Sequence, residues 1–317
     1  MDYSEMRGFN YQPSYGSTGY ELWRKFDAEV VERELGLGKQ YFPGINAIRY
    51  WLSWDAYVRD PGRFAECFEH VLAIAHGFGL RVMPVLFNRW HDPVLDYGGV
   101  YLEQLLEWKT AAEAQQPESW RPYVERVVGE HAADERIFAW DLCNEPYNAA
   151  SVWPTDGVET ETRWLERVYA ECKRQGARAP ITVGAAPGLE RVRRTVPVSD
   201  VISIHPYYLP EGKHTRADYE RKLDEYVALA RKSGKPLLAT ECCWGMPMDD
   251  LKRAEFIRYT LGELKKRGIG QLVYLLHWSG IADAHGPDGG PVGAPGNLSF
   301  INKDGSLRAG HEVFNEF

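Results

Sequence analysis

Short apolar runs alternate with longer stretches of helical periodicity along this chain. Eight runs have the length of β-strands, and they cover residues 6–11, 45–52, 80–87, 137–142, 180–185, 201–205, 236–240 and 270–276. Strands that alternate with helices in this way predict βαβ units and a parallel sheet.

The stretches between the runs have the apolar spacing of amphipathic helices. Residues 64–75 and 257–264 both place apolar side chains on one helical face. Asp60-Pro61-Gly62 is typical of a helix start, and Gly268 is typical of a helix end just before the last run. Eight units in 317 residues give roughly 40 residues each, the size expected of a closed barrel. The prediction is therefore a single α/β domain over residues 1–317, folded as a (β/α)8 TIM barrel.

Two connections between the predicted elements are unusually long. One follows the third strand from residue 88 to about 119, and the other follows the eighth strand from residue 279 to about 302. Long loops in a compact domain are often functional. Both follow strand carboxyl ends, the face on which barrel enzymes carry their active sites. We therefore expect both loops to rise over the mouth of the barrel.

Charge and hydropathy exclude two classes of partner. The chain has 37 basic and 45 acidic residues, a net charge of −8, and its basic residues are dispersed rather than clustered. This pattern disfavours nucleic acid as a partner. No stretch approaches the ~18 consecutive apolar residues of a membrane span, so a membrane partner is not expected either.

Five cysteines, in no zinc-like spacing, suit a reducing compartment. The amino-terminal residues lack the basic-then-apolar pattern of a secretion signal. Together these features predict a cytoplasmic location. The adjacent Cys242 and Cys243 are interpreted as small packing residues, with a redox switch as the alternative.

Two glutamates are the strongest chemical signal. Glu145 and Glu241 each follow an apolar run of the strand type. A carboxylate among packed strands costs free energy unless it is paired or hydrogen-bonded. Two of them at strand ends indicate an acid/base site assembled by the fold, as in a retaining glycosidase. The structural alternatives are a helix-capping carboxylate for Glu145 and an ion-pair partner of Arg49 for Glu241.

In this order along the chain, these residues resemble clan A glycoside hydrolases, most nearly the cellulase-like barrels of family 5. Asn144-Glu145-Pro146 after the fourth strand resembles the acid/base motif of that family, and Glu241 after the seventh strand resembles its nucleophile. The resemblance covers essentially the whole chain. It implies that Glu145 is the general acid and base, and that Asn144 binds the 2-hydroxyl of the sugar.

The resemblance also implies roles for residues around the two carboxylates. Arg49 resembles the arginine that braces the nucleophile. His205 and Tyr207 resemble a His-x-Tyr pair that hydrogen-bonds the nucleophile and the substrate, and Trp278 resembles the tryptophan under the reacting sugar.

The chain departs from the family pattern near the end of the third strand. The family often carries a histidine there, and Asn88 or His91 is the candidate substitute. Further candidates for sugar stacking are tryptophans that follow strand ends, because aromatic rings stack on the apolar faces of sugars. They are Trp54, Trp90 and Trp244.

These residues together imply a retaining glycoside hydrolase for β-linked glycosides, acting on short oligosaccharides without a cofactor or a metal. A transglycosidase with the same residues, a catalytically inactive glycan-binding barrel and a metal-dependent sugar isomerase are the alternatives. The sequence leaves the sugar, the linkage and the oligomeric state open.

Overall fold

The protein is described by a computed structural model that covers residues 2–89, 118–147, 157–208, 215–243, 249–284 and 298–317. Most of the predicted loop after the third strand lies outside these residues, as does most of the loop after the eighth. Trp90, His91 and Trp244 lie outside them as well.

Eight strands form in the eight predicted runs. They are β1 (Arg7–Tyr11), β2 (Ala47–Trp51), β3 (Arg81–Asn88), β4 (Trp140–Asn144), β5 (Ile181–Gly184), β6 (Ile202–Ile204), β7 (Leu237–Ala239) and β8 (Gly270–Val273). The strands are mostly shorter than the runs that predicted them. β8, for example, ends at Val273, whereas its run extends to residue 276.

The strands form one parallel sheet that curves into a barrel. Their order is β5-β4-β3-β2-β1-β8-β7-β6, and the pairing of β1 with β8 joins the two halves. β5 and β6 approach each other at the remaining seam, where the Thr182 hydroxyl donates to the Val201 carbonyl at 2.7 Å. The predicted (β/α)8 barrel is therefore confirmed.

Helices connect the strands and cover the outside of the barrel. In the described segments they are α1 (Gly19–Arg24), α2 (Ala28–Tyr41), α3 (Trp54–Arg59), α4 (Pro61–Gly77), α5 (Arg121–Glu130), α6 (Gly157–Arg174), α7 (Leu189–Thr195), α8 (Arg216–Ser233), α9 (Asp250–Lys266) and α10 (Gly280–Ala284). Asp60 caps α4 by accepting the Arg63 N–H at 3.0 Å, with Pro61 at the first helical position. Within the described part of the chain, no helix has the length and apolar character needed to cross a membrane.

The barrel interior changes from apolar to polar along the strand direction. On β2 successive side chains alternate between the two faces, so Ala47, Arg49 and Trp51 all point inward at increasing height. Ala47 belongs to an apolar floor that includes Met83 and Leu272. Arg49 lies above this floor in a layer of hydrogen-bonded polar groups. The polar side chains therefore lie toward the carboxyl ends of the strands, while apolar side chains fill the barrel at the amino ends.

All five cysteines have free thiols and are buried. Burial raises the pKa of the Cys242 thiol well above its usual range, and the neighbouring Cys243 raises it further. A protonated, buried thiol is a poor nucleophile. Both side chains pack in the main hydrophobic core, consistent with the packing role predicted for them.

Candidate active site

The two predicted catalytic glutamates meet at the mouth of the barrel. Glu145 directly follows β4, and Glu241 lies just beyond the last residue of β7. Because parallel strands end at the same face, these distant positions converge. A carboxylate oxygen of one lies within 4.8 Å of a carboxylate oxygen of the other. Both side chains are buried.

Glu241 is held by two donors. A guanidinium nitrogen of Arg49, Nη1, donates to Oε1, and the phenol of Tyr207 donates to Oε2. Arg49 is fully buried. Hydrogen bonds and positive charge directed at a carboxylate favour its ionised form. The contacts with Glu241 that the resemblance implied for Arg49 and Tyr207 are therefore present.

Arg49 is itself locked by a network inside the barrel. Its Nε and Nη2 donate to Asp141 Oδ2 at 3.0 and 2.8 Å, and its Nη1 donates to Asn10 Oδ1 at 3.0 Å. Asp141 in turn accepts the Gly184 N–H at 2.8 Å. The sequence analysis missed Asp141 and Asn10. The available signal was a lone carboxylate within the apolar run of β4.

Gly184, the last residue of β5, is required by this network. A Cβ atom there would lie 2.6 Å from Arg49 Nη2 and 2.7 Å from Asp141 Oδ2. Either distance is far below van der Waals contact. Any side chain at this position would therefore displace the arginine that braces Glu241.

Asn144 has one fixed amide orientation. Its Oδ1 accepts from Arg49 Nη2 at 2.8 Å, and its Nδ2 donates to Asn88 Oδ1 at 3.0 Å. An amide nitrogen carries two hydrogens, so the second N–H remains available to a substrate hydroxyl. Asn88, a candidate substitute for the family histidine, is the partner that orients Asn144; its contact with substrate stays a prediction.

Glu145 lies in a different setting from Glu241. Burial raises the pKa of Glu145 to about 7, and the charges of Arg49 and Arg191 oppose that shift. Its Oε1 is hydrogen-bonded to His205 Nδ1 at 2.8 Å. Burial lowers the pKa of His205 to about 4, so this histidine is neutral near pH 7. Glu145 is therefore a carboxyl group that can hold a proton at neutral pH.

His205 contacts a different carboxylate from the one expected. The resemblance implied a hydrogen bond to Glu241, but Nδ1 is 3.6 Å from Glu241 Oε2 and makes its shorter contact with Glu145. The other ring nitrogen, Nε2, lies 3.1 Å from the hydroxyl of Thr240. The histidine thus supports the carboxyl at the end of β4, and Tyr207 supports the one near β7.

Two aromatic residues near the carboxylates were not among the sequence candidates. The Trp51 ring lies 4.6 Å from the Arg49 guanidinium, and its centroid is 6.3 Å from that of Tyr274. The Tyr274 N–H donates to the carbonyl of Cys242, the residue after Glu241, at 3.0 Å. Trp51 could have been found from sequence, because it lies two positions after Arg49 on the same strand face.

The remaining candidate aromatics lie further out or outside the described residues. Trp278 is partly exposed, and Lys303 Nζ lies 4.3 Å from the centre of its ring. Trp54 is buried at the start of α3, where it packs against Phe87. Substrate contacts for both stay predictions, as they do for the undescribed Trp90, His91 and Trp244.

One cluster of possible metal ligands occurs in the described part of the chain. It consists of Glu145, His205 and Glu241. Both oxygens of Glu241 already accept hydrogen bonds from Arg49 and Tyr207. A metal cation there would be repelled by the buried, positively charged guanidinium of Arg49. The cluster therefore favours acid/base chemistry over metal binding.

Comparisons with known proteins agree with this geometry. The family model described as cellulase, glycosyl hydrolase family 5, matches residues 41–279. The chain belongs to glycosyl hydrolase family 5. The family resemblance noted in the sequence is therefore confirmed.

Two relatives of this chain with curated names are distant. Mannan endo-1,4-beta-mannosidase F of Aspergillus clavatus is 23% identical over 214 residues, which are 65% of this chain and 43% of that protein. Probable mannan endo-1,4-beta-mannosidase A of the same species is 23% identical over 146 residues, 41% of this chain and 39% of that protein. The matches span less than half the length of either relative.

Solved structures share the fold over nearly the entire chain. An exo-beta-1,4-mannosidase from Opitutaceae bacterium strain TAV5 aligns with a TM-score of 0.71 at 19% identity, covering 98% of this chain and 58% of that one. GH5_18 from Streptomyces cattleya, in complex with GlcNAc, aligns with a TM-score of 0.71 at 16% identity, covering 98% and 79%. At these identities the likeness supports the barrel fold.

Proposed function

We propose that this family 5 protein is a retaining glycoside hydrolase that cleaves β-linked glycosides by double displacement. The observation that carries the proposal is the contrast between the two facing carboxylates. Glu241 accepts hydrogen bonds from Arg49 and Tyr207, which suits a nucleophile that must stay ionised. Burial raises the pKa of Glu145 to about 7, which suits a group that must first give a proton and later take one.

In the first step, an oxygen of Glu241 bonds to the anomeric carbon of the sugar as the glycosidic C–O bond breaks. Glu145 gives its proton to the departing oxygen, and the leaving group departs as a neutral alcohol. The second N–H of Asn144 would hydrogen-bond the 2-hydroxyl of the reacting sugar. That contact strengthens as positive charge develops on the ring.

In the second step, Glu145 is a carboxylate and accepts a proton from water. The water oxygen bonds to the anomeric carbon, and the bond to Glu241 breaks. Glu241 returns to its ionised form between Arg49 and Tyr207, while Glu145 regains the proton it started with. Two inversions leave the anomeric configuration unchanged.

The separation of the two glutamates supports retention over inversion. Retaining enzymes hold their carboxyl groups about 5–5.5 Å apart, while inverting enzymes leave about 6.5–9.5 Å for a water molecule. Here a carboxylate oxygen of Glu145 lies within 4.8 Å of one of Glu241, a close approach that supports the shorter, retaining separation.

β-Mannosides are the first substrates to test. Both curated relatives are named as mannan endo-1,4-beta-mannosidases, and one structural neighbour is named as an exo-beta-1,4-mannosidase. A preference for short oligosaccharides stays a proposal, because it depends on loops that lie mostly outside the described residues. It is tested by comparing kcat/KM on a mannotriose with kcat/KM per bond on soluble mannan.

The decisive experiment is a panel of aryl β-glycosides (manno, gluco, galacto and xylo), with the product anomers followed by NMR from the first turnover. We expect hydrolysis with the β-anomer appearing first and the mannoside cleaved best. First appearance of the α-anomer would show inversion. Binding without turnover on every member would favour the inactive glycan-binding barrel.

Two further measurements separate the remaining alternatives. Transfer products that dominate over hydrolysis at modest acceptor concentration would identify a transglycosidase. Activity should also survive EDTA, because Arg49 occupies the position that would face a cation at Glu241. Loss of activity that is restored by a divalent ion would favour the metal-dependent isomerase chemistry.

A further inference from the structure

The loop that carries Glu145 has an unfavourable backbone conformation. Glu145 has φ of 47° and Tyr147 has φ of 65°, and both are non-glycine residues in the left-handed region. Such a residue costs of order 1–3 kcal/mol and persists only where the surrounding structure holds it. Two of them flank Pro146, so the position of the proposed acid/base depends on outside contacts.

Those contacts come from both sides of the loop. The Glu145 N–H donates to the carbonyl of Gly184 at 2.7 Å. The Tyr147 N–H donates to Oε2 of Glu161, a residue of α6, at 2.8 Å. Glu161 is fully buried, and α6 is anchored to the barrel by Trp164, whose ring centroid is 5.0 Å from that of Phe87 on β3.

Glu161 also holds the neighbouring loop. Its Oε1 accepts a hydrogen bond from Arg89 Nε at 2.8 Å. The backbone N–H of Arg89 donates to the carbonyl of Asn144 at 3.0 Å. One buried carboxylate therefore takes one donor from each of the loops after β3 and β4. The residues it holds flank Asn88, Asn144 and Glu145.

We propose that Glu161 is a positioning residue for the acid/base Glu145, setting the left-handed turn from which the proton is delivered. The inference rests on the proposed function, because it assigns Glu161 a part in acid catalysis. Glu161 acts through the backbone of Tyr147 and through Arg89, and it touches neither substrate nor reacting atoms. Its loss should therefore impair protonation of the leaving group more than attack by Glu241.

The test is the dependence of rate on the leaving group. Glu161→Gln keeps the shape of the side chain but replaces one of the two acceptor oxygens with an NH2 group, so one of the two donors, Tyr147 N–H or Arg89 Nε, would face another donor. A misplacement near 1 Å costs about a hundredfold. We expect kcat/KM to fall roughly ten- to a hundredfold on a β-glycoside with a poor leaving group. A 2,4-dinitrophenyl glycoside, whose leaving group needs no proton, should change by less than about threefold.

Glu171→Gln is the matched control. Glu171 lies on the same helix, is buried, and pairs with Arg121 and Arg174, but it holds neither catalytic loop. Its loss should lower stability without changing the ratio of rates on the two leaving groups.

A double variant that restores the hydrogen bonds provides a second test. In the double variant Arg89→Gln/Glu161→Gln, the side-chain oxygen at position 161 can accept the Tyr147 N–H, while the NH2 group at that position donates to the new amide oxygen at position 89. No uncompensated arginine remains, so the double variant carries the test if Glu161→Gln alone does not fold. We expect it to regain most of the rate on the poor leaving group.

The outcomes separate this inference from the proposed function. Glu145→Ala must itself show strong leaving-group dependence; if it does not, the proposed function fails. If Glu145→Ala shows that dependence but Glu161→Gln and the double variant lose equally on both leaving groups, Glu161 is purely structural and the inference is overturned.

Discussion

The two sides of the barrel mouth hold the same functional group in different surroundings. At the end of β7, Glu241 lies between the Arg49 guanidinium and the Tyr207 phenol. At the end of β4, Glu145 lies against a neutral His205, and burial raises its pKa to about 7. Neighbours rather than residue type assign the roles: the paired carboxylate suits a nucleophile, and the desolvated one suits an acid.

Arg49 creates this asymmetry through the orientation of its guanidinium group. Its guanidinium donates hydrogen bonds to Asp141, Asn10, Asn144 and Glu241. The Arg49 charge acts on Glu145 through space, and it lowers the pKa of Glu145 less than burial raises it. A rigid guanidinium with fixed partners can favour one carboxylate over another a few ångströms away.

Removing each carboxylate gives the largest predicted effect and tests the comparison directly. We expect Glu145→Ala to lower kcat/KM on poor leaving groups by about 10²–10⁴-fold, the usual contribution of general acid–base catalysis. Glu241→Ala should be more damaging on every substrate, because no covalent intermediate can form. Steady-state kinetics with circular dichroism as a folding control measures both.

Added azide distinguishes the two variants. In Glu241→Ala it should attack in place of the missing nucleophile and give a glycosyl azide of inverted configuration. In Glu145→Ala it should attack the glycosyl-enzyme and give a retained product. Identical products from both variants, or near-native activity in either, would contradict the assignment of roles.

Replacing Glu145 and replacing Glu241 by glutamine should change the free energy of unfolding in opposite directions at alkaline pH. The pKa of Glu145 is raised from 4.5 to about 7, so the folded state binds this proton more tightly and stability is lost as the pH rises through that interval. At pH 8 the neutral Glu145→Gln should be more stable than the wild type by up to about 3 kcal/mol. At pH 4 the two should be nearly equal.

Glu241→Gln should instead destabilise the protein. It removes the charged acceptor of Arg49, and hydrogen bonds to charged groups contribute about 1.5–3 kcal/mol each. Urea unfolding at pH 4 and pH 8 measures both variants. Equal shifts of the same sign would show that the two environments do not differ as described.

The pH dependence of kcat/KM should reflect the raised pKa of Glu145. Glu145 must carry a proton in the first step and its pKa is about 7, so kcat/KM should fall about tenfold per pH unit on the alkaline side of that value. In Glu145→Ala, assayed with a dinitrophenyl glycoside, the alkaline limb should disappear. An unchanged limb would assign it to another group.

The features that could be predicted from the sequence are those with a local signal. Each strand was an apolar run, and Glu145 and Glu241 were carboxylates that closely follow such runs. The helical face over residues 64–75 was read from spacing alone, and its apolar side chains are buried in α4. In these places a few neighbouring residues determine the structure.

What could not be predicted depends on pairs that are distant in the sequence. Arg89 and Glu161 are 72 positions apart, and Arg49 and Asp141 are 92 positions apart. No periodicity connects them, and only the closed barrel brings them together. The end of β8 was also placed too late, at residue 276, because Leu275 and Leu276 continue the apolar run beyond the last paired residue, Val273.

The smallest predicted effect concerns the aromatic side chains that would contact the sugar near the end of β8. Tyr274 directly follows β8 and lies beside Trp51, whereas Trp278 is partly exposed beneath Lys303. We expect Tyr274→Ala to lower kcat/KM about tenfold and Trp278→Ala only a few-fold, since an aromatic contact contributes about 0.5–1.5 kcal/mol. Tyr274→Phe, which keeps the ring, should lose less activity than Tyr274→Ala. A larger loss in Trp278→Ala would instead support the role that the family resemblance implies for that tryptophan, and would place the reacting sugar further from β8.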